Sequence, residues 1–290
     1  NPTAGRGHSK RIVDAVQTLV TQAGLECQTR ATSVAGDAEK IAADAIADDA
    51  SCCIVACGGD GTVQEVANAV AKNPTNEAIL GVAPAGRCND FARAMGITAD
   101  PADIASVLTT GAVRSVDLGR IGQRYFCTVA AMGFDAAVSR YVDRSKVPLR
   151  GTLAYIYGTF RVLLDYSPPL LKLSGDFGEY EGPVFLAASA NTACYGGAMK
   201  IAPNANAFDG QIDICLVTDI AKWRVLRLMP QVMAGRHTSR PEVRLWRTRT
   251  MTASAIDGGS DLELWADGEA IARMPATIEC VPNAIKVMLP

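Results

Sequence analysis

No run of about 18 apolar residues occurs in this chain of 290 residues, so nothing in it reads as a membrane-spanning helix. The longest apolar stretch, residues 129–138, is short and carries Asp135. The charged-then-apolar pattern of a secretory signal is absent from the first residues. Asn1-Pro2-Thr3-Ala4-Gly5 reads instead as a turn whose preceding strand is missing, which leaves the native N-terminus open. No Cys-x-x-Cys or Cys/His pair has zinc spacing, so the nine cysteines are expected to be reduced thiols packed in a core, in a cytoplasmic protein. There are two histidines, His8 and His237, and no Ser/His/Asp order around them suggests hydrolysis. Both are read as surface residues. The Walker pattern is missing, as is a Gly-x-Gly-x-x-Gly opening a helix after the first strand. Internal repeats and low-complexity tracts are missing too.

What is present is globular composition. Apolar residues make up 49% and charged residues 20% of 30.5 kDa, enough for one large domain or two ordinary ones. The net charge of −2 is uneven: Arg236, Arg240, Arg244, Arg247 and Arg249 stand close together, opposed by Glu242. They read either as a contact for an anionic surface or as a solvated basic strand. In the first third, helix and strand signals alternate. Ile12, Val13, Val16, Leu19 and Val20 recur at helical spacing, a short strand is expected at 26–31, and a second helix carries Ala38, Ile41, Ala42 and Ala45. Residues 52–57 form an apolar run of the kind buried on both faces of a parallel sheet. A helix from Val63, a strand at 79–83 and a helix near 89–95 follow. This alternation predicts βαβ units. Beyond about residue 116 the runs shorten, at 124–130, 184–190, 211–217, 243–246, 261–265, 276–280 and 284–288. Turns such as Ser167-Pro168-Pro169 and Asp257-Gly258-Gly259 separate them, and helices are expected at 134–143, 151–165 and 220–234. The apolar alternation in 211–217 predicts a half-buried antiparallel strand. The boundary falls near 117–120, giving a first domain at 1–117 and a mostly antiparallel second one at 118–290.

Cys57-Gly58-Gly59-Asp60-Gly61-Thr62 lies between the buried run and the third helix. Thr62-Val63-Gln64-Glu65 has the form of a capping box, which would start the helix there and aim its free N–H groups at the loop. Three glycines in four positions let a ligand approach the backbone closely. Strand, glycine loop and helix N-terminus make a phosphate cradle. Asp60 would repel a phosphate unless a cation intervenes, and Mg²⁺ resolves the conflict. The competing reading is a glycine turn in which Asp60 caps backbone amides.

With three further blocks this stretch resembles the diacylglycerol-kinase-type lipid kinases, particularly the soluble bacterial branch, with sphingosine and ceramide kinases as relatives. The blocks are Asn1-Pro2-Thr3-Ala4-Gly5-Arg6-Gly7, then Ala83-Pro84-Ala85-Gly86-Arg87-Cys88-Asn89-Asp90-Phe91-Ala92-Arg93, then Ile201-Ala202-Pro203-Asn204-Ala205 with Asp209-Gly210 and, near the end, Asp267-Gly268-Glu269. The resemblance implies a Rossmann-like α/β nucleotide domain followed by an antiparallel β-sandwich, with the active site in the cleft between them. It implies ATP and Mg²⁺ as co-substrate and cofactor and a lipid hydroxyl, diacylglycerol-like, as acceptor. It places Gly58, Gly59, Asp60, Gly61 and Thr62 on the ATP phosphates and Asn1 in the nucleotide pocket. Glu269 is its general base, and Asp209 supports a magnesium and water network that also takes in Asp60 and Asp90. The family usually has a small hydroxyl residue where this chain has Arg87, beside Asn89 and Asp90. Arg87 either contacts phosphate itself or blocks the nucleotide, and the former is the expectation. Arg6 stands in for the lysine usual after Gly5.

Phosphoryl transfer needs positioning, charge neutralisation and a base. A lipid alcohol is a poor nucleophile at neutral pH, so a carboxylate such as Glu269 must accept its proton. Asp267-Gly268 is also a strong hairpin signal, and a hairpin would present Glu269 equally well. Residues 222–229, with Trp223 among cations, and residues 149–164, with Tyr155, Tyr157 and Phe160, are candidates for transient contact with a membrane surface, at the inner face. Core packing explains either segment as well. Nothing calls for nucleic acid, and a homodimer stays open. The competing functions are a kinase for another acceptor, such as a sphingoid base, ceramide or NAD, and a non-catalytic regulator that binds nucleotide or lipid.

Overall fold

The structure, a computed structural model, describes every residue except 74, 76, 146–151, 198 and 257–261, and every described side chain except those of residues 6, 152 and 153. The expected turn at 257–259, the starts of the runs at 149–164 and 261–265, and the side chain of Arg6 therefore lie outside the described residues.

The chain opens with helix α1 (His8–Gln22), whose Ile12, Val16 and Val20 recur every four residues. They bury one stripe against Ile104 and Ala105 of a helix further on. Helix α2 (Asp37–Asp48) precedes strand β1 (Cys53–Gly58), helix α3 (Asp60–Ala71), strand β2 (Ile79–Pro84) and the short helix α4 (Asp90–Ala94). Helix α5 (Pro101–Thr110) has the start its sequence dictates. Pro101 fills the first turn, and the Asp100 carboxylate accepts the Ala102 and Asp103 amides at 2.8 and 3.3 Å. Strands β3 (Ala112–Ile121), β4 (Arg124–Phe126) and β5 (Val129–Gly133) follow, then helices α6 (Phe134–Arg144) and α7 (Thr152–Asp165). The remainder is β6 (Leu170–Gly175), β7 (Gly178–Pro183), β8 (Leu186–Ala190), β9 (Ile212–Val217), α8 (Lys222–Met233), β10 (Val243–Thr248), β11 (Thr250–Ala255), β12 (Glu263–Ala266), β13 (Glu269–Arg273) and β14 (Ala276–Leu289).

Two sheets result. One runs β1-β2-β14-β11-β6-β7, with β3 paired to β14 and β4, and the other, antiparallel throughout, runs β10-β9-β8-β5-β12-β13. Their facing side chains, among them Met132, Leu171, Leu173, Ile212, Ile214, Leu216, Met251 and Ile278, form one core. That is a sandwich built on an α/β layer, the architecture expected. Strand β14 joins the two. Its first part pairs with β11, and beyond an irregularity between Val281 and Ile285 its last residues lie antiparallel to β3 and parallel to β2. The runs at 276–280 and 284–288 are thus one strand. Residue 117 falls inside β3, and the first sheet takes a strand from the far end of the chain.

Four local expectations are corrected. Residues 26–31 form no strand. Strand β1 is an edge strand among the described residues, its Val55 37% exposed, and not buried on both faces. Strand β9 is buried at every position, because the second sheet packs on the first with one face and on α6 and α8 with the other. His237 is fully buried and not on the surface. Its Nε2 lies 3.0 Å from the Ile201 carbonyl, while Nδ1 is buried without a partner among the described residues, the arrangement of a neutral ring donating from Nε2.

Burial holds the His237 pKa below the usual histidine value. Below the unfolded value near 6.5 the unfolded chain then binds the extra proton and the folded chain does not, so stability falls as pH drops through that window. His237→Gln is expected to flatten this dependence. Urea unfolding of both proteins at pH 7.5 and 5.5 checks it, and equal losses for the two would refute it.

Candidate active site

Three loops meet at the C-terminal ends of β1 and β2. The Ala85 amide donates to the Gly58 carbonyl at 2.8 Å. A Cβ on Gly86 would lie 2.4 Å from the Gly59 Cα, and one on Gly5, already at φ +58°, 2.4 Å from the Ala85 carbonyl oxygen. Glycine at these positions is what allows the loops to touch. The main-chain nitrogen of Asn1 donates to the Cys57 carbonyl at 2.8 Å, its Oδ1 accepts the Thr3 amide at 3.1 Å, and its Nδ2 reaches the Thr62 hydroxyl at 3.5 Å. Asn1 is thereby fixed at the rim of the glycine loop.

Helix α3 begins at Asp60 with Gly59 as its N-cap and no side-chain cap. The expected capping box does not form. The Glu65 carboxylate instead accepts the Gly36 and Ala38 amides, both at 2.9 Å, and so caps α2. The reason is that the loop before α2 offers unsatisfied amides, and Thr62 is turned toward Gly58. An added Cβ on Gly58 would meet the Thr62 hydroxyl at 2.4 Å. The first-turn amides of α3 therefore remain without intrahelical partners. A Cβ on Gly61 would meet nothing within 4 Å, so the space over the loop is open.

Carboxylates collect beside this opening. Asp60 accepts the Phe91 amide at 3.3 Å, which ties α3 to the start of α4. Asp90 is buried. It accepts the Gly197 amide at 3.0 and 3.1 Å and pairs with Arg93 at 3.0 Å, and burial, aided by the charge of Asp60, holds its pKa above the usual carboxylate value. Arg93 also donates to the Gly197 and Cys88 carbonyls, the latter at 2.7 Å. Asp267 joins them from the second sheet. With Asp267 at φ 49° and Gly268 at φ 92°, the β12–β13 turn has both central residues left-handed, as a two-residue hairpin requires. The Asp267 carboxylate accepts the Cys127 amide at 2.6 Å, the Thr128 amide at 3.0 Å and the Thr128 hydroxyl. Burial pushes its pKa up to about 6, with Asp60 adding to the rise. In the sequence Asp267 stands as part of a hairpin turn, and only the tertiary structure brings it to Asp60.

The other expected residues are distributed unevenly. Asn89 adopts the left-handed conformation, with Oδ1 accepting the Gly86 amide at 2.9 Å and Nδ2 donating back to Gly86 at 3.2 Å, so it stiffens the third loop. Arg87 is exposed on that loop and pairs with no carboxylate among the described residues. Glu269 stands at the start of β13, its side chain 44% exposed, and its ion partner is Arg124 at 3.9 Å. Arg124 is held in turn by Glu39 at 2.7 Å.

Asp209, expected as a metal ligand with Asp60 and Asp90, stands in a different cluster of the structure. Its carboxylate bonds the Arg247 guanidinium, which also lies 3.7 Å from Asp213, and it accepts the Gln211 amide at 3.1 Å. Next to it both oxygens of buried Asp117 are taken, by the Gly210 amide at 2.7 Å and the Asn283 amide at 2.8 Å. In this cluster the Arg247 guanidinium faces the carboxylates of Asp209 and Asp213. Among the described residues no group of three or more His, Cys, Asp or Glu is placed to hold a metal. The opening beside Asp60 and Asp90 does fit one, since Mg²⁺ takes one or two carboxylates and completes its shell with phosphate and water oxygens. The two clusters are linked. The buried Asn191 amide donates to the carbonyls of Asp117 and Cys127, at 2.8 and 2.9 Å.

Residues 1–121 match the family described as the diacylglycerol kinase catalytic domain, and residues 128–289 match the YegS C-terminal NAD kinase beta sandwich-like domain. A diacylglycerol kinase of Mycobacterium tuberculosis is 31% identical over 297 residues, covering 100% of this chain and 93% of that protein. This chain belongs to the diacylglycerol-kinase-type family. A diacylglycerol kinase of Bacillus subtilis is 29% identical over 291 residues, with 100% and 94% covered. A crystal structure of a diacylglycerol kinase from Bacillus anthracis, 22% identical, superposes with a TM-score of 0.78 over 100% of this chain and 95% of that one. A second crystal structure from that organism gives 0.82 over 100% and 93%, also at 22% identity. These two share the fold. Family membership makes the chain a phosphotransferase with an alcohol acceptor, a lipid-kinase-type enzyme. No helix among the described residues is long and apolar enough to cross a membrane.

Proposed function

We propose that this diacylglycerol-kinase-type chain transfers the γ-phosphate of ATP, with magnesium, to the hydroxyl of a diacylglycerol-like lipid. The meeting of three loops around the open N-terminus of α3, with Asp60 and Asp90 at its edge, carries this reading. The amides of Gly58, Gly59, Asp60, Gly61 and Thr62 receive the phosphates, and Asn1 borders the nucleotide. Asp60 and Asp90 would hold the magnesium, which when bound neutralises the charge shared by the β- and γ-phosphates. Arg87 reaches toward phosphate oxygens, and Asn89 keeps its loop in shape. Glu269 accepts the proton of the lipid hydroxyl. Asp209 supports the site from its own cluster, through Asp117 and Asn191. In this reading 1–117 supplies the nucleotide side and 118–290 the acceptor side, in a protein working at the cytoplasmic face of a membrane. Phosphate transfer from labelled ATP to diacylglycerol, a sphingoid base, ceramide, phosphatidylglycerol and NAD tests the proposal. Transfer to NAD alone, or none with ATP still bound, would overturn it.

The acceptor resides in a bilayer, and α7 and α8 offer a surface for reaching it. The Lys222 ammonium donates to the Leu164 carbonyl at 2.6 Å, which joins the end of α7 to the start of α8. Leu164 is 69% and Trp223 55% exposed, and the guanidiniums of Arg224 and Arg227 lie 5.3 and 5.0 Å from the Trp223 ring. Indole and guanidinium together suit an interface with anionic lipid. Trp223→Ala is expected to lower turnover of vesicle-borne diacylglycerol roughly fivefold, on the order of 1 kcal/mol of buried indole. Turnover of soluble dioctanoylglycerol should not change, and an equal fall on both would count against membrane docking.

A further inference from the structure

A second line of contacts runs from α3 to the hairpin that carries Glu269. Its first link is Asn68, fully buried near the end of α3. The Asn68 Oδ1 accepts the Tyr125 amide at 3.0 Å, and its Nδ2 donates to the Tyr125 and Gln64 carbonyls, both at 2.9 Å. A buried side-chain amide bonded to both main-chain groups of one residue holds that residue rigidly. Arg124, the residue before it, is therefore set down by β4 at a defined place beside α3.

The Arg124 side chain stands between two carboxylates. Its Nη1 donates to Oε2 of Glu39, in the first turn of α2, at 2.7 Å. Its Nη2 faces Oε2 of Glu269 at 3.9 Å. N–H···O bonds close at about 2.7–3.2 Å, so the first contact is a charge-assisted hydrogen bond and the second falls roughly 1 Å short of one. The other Glu39 oxygen takes the ammonium of Lys72, at the C-cap of α3, at 2.6 Å. Burial raises the Glu39 pKa, and the bonds from Lys72 and Arg124 more than offset it, holding the group below the usual carboxylate value. Glu39 is thus charged at neutral pH with a cation on each oxygen. The Glu269 carboxylate accepts no hydrogen bond among the described residues. A guanidinium fork meets a carboxylate with two parallel bonds, and a carboxylate filled in that way is closed to a proton from elsewhere.

We infer that Glu39 is a positioning residue for the base: by holding Arg124 to α2 it keeps that cation off Glu269, whose carboxylate stays open to the acceptor's hydroxyl. The inference rests on the lipid-kinase reading with Glu269 as its base, and adds what keeps that base available. Asn68 and Lys72 both belong to α3, so the helix that begins at the phosphate loop also holds the competing cation away from the proton-transfer step.

Steady-state kinetics with dioctanoylglycerol and ATP–magnesium test this on the wild type, Glu39→Ala, Glu39→Gln and the double variant Glu39→Ala/Arg124→Gln. Without Glu39 the guanidinium closes on Glu269, and kcat is expected to fall about fivefold with the KM for ATP unchanged, the size of effect that a half-exposed ion pair supplies. Glu39→Gln, which keeps the shape and loses the charge, should fall in the same direction. The double variant should recover to at least about half of the wild-type kcat, although it lacks more contacts than Glu39→Ala does. A merely structural link, or an Arg124 that helps to place Glu269, gives the opposite order, with the double variant no better than the single one. That order in folded proteins, or a wild-type kcat in both Glu39 variants, overturns the inference while the lipid-kinase reading stands. A Glu269→Gln protein with full turnover removes the base and the inference with it. A wild type that leaves dioctanoylglycerol unphosphorylated overturns the inference together with the reading beneath it.

Discussion

Asp60→Asn is expected to lower turnover by about a thousandfold while leaving the protein folded, because it removes a charge that acts only when the phosphates and their cation are in place. The Asp60 carboxylate accepts one backbone amide, that of Phe91, at 3.3 Å, and an amide oxygen can accept the same bond. The local structure should therefore survive. The change also relieves repulsion, since the charge of Asp60 raises the pKa of both Asp90 and Asp267. Thermal stability should stay level or rise slightly while activity collapses, an opposition that no packing defect produces. Calorimetry with ATP, with and without magnesium, separates the two functions of the loop. The α3 amides should still take ATP weakly, and the enhancement by magnesium should vanish. Undiminished turnover, or an enhancement by magnesium equal to the wild type's, would remove Asp60 from the cation site.

How much of this was legible in the sequence follows from how local each signal is. The glycine loop and its flanking elements were readable because β1, Gly58–Gly61 and α3 are contiguous, and Gly58 answers a steric demand from Thr62 four residues on. Glu65 was misassigned because a capping box is a local rule, and a loop 27 residues away offered better amides. The burial of His237 and the gathering of Asp267 with Asp60 were illegible for a related reason. Both depend on strands far apart in sequence, and neither residue has neighbours that mark its environment. Strand β1 looked central because its composition is apolar, and composition does not say which strands pair on either side. The five arginines were likewise ambiguous in sequence. In the structure Arg247 is held by Asp209 and Asp213, Arg240 by Gln231, and Arg244 lies over the Tyr180 ring, so much of that charge is answered within the molecule.

Glu269→Gln is the second change with a large expected effect, a loss of about 10² to 10⁴ in kcat, because a general base contributes that much. Its geometry makes the test demanding. The Glu269 side chain is half-exposed, and Arg124 is its ion partner at 3.9 Å, a separation too long for a hydrogen bond. A carboxylate held this loosely can swing toward an acceptor, and the hairpin that carries it is anchored through Asp267 to Cys127 and Thr128. Arg124 is itself engaged by Glu39, so it is a weak competitor for Glu269. If Glu269 is the base, glutamine at this position should abolish turnover with little change in the KM for ATP, and the pH–rate profile should lose its acidic limb. Should Glu269→Gln keep full activity while Asp267→Asn loses it in a folded protein, the proton goes to the buried carboxylate. The pKa of Asp267, near 6, would then set the acidic limb, a value the same profile reads directly.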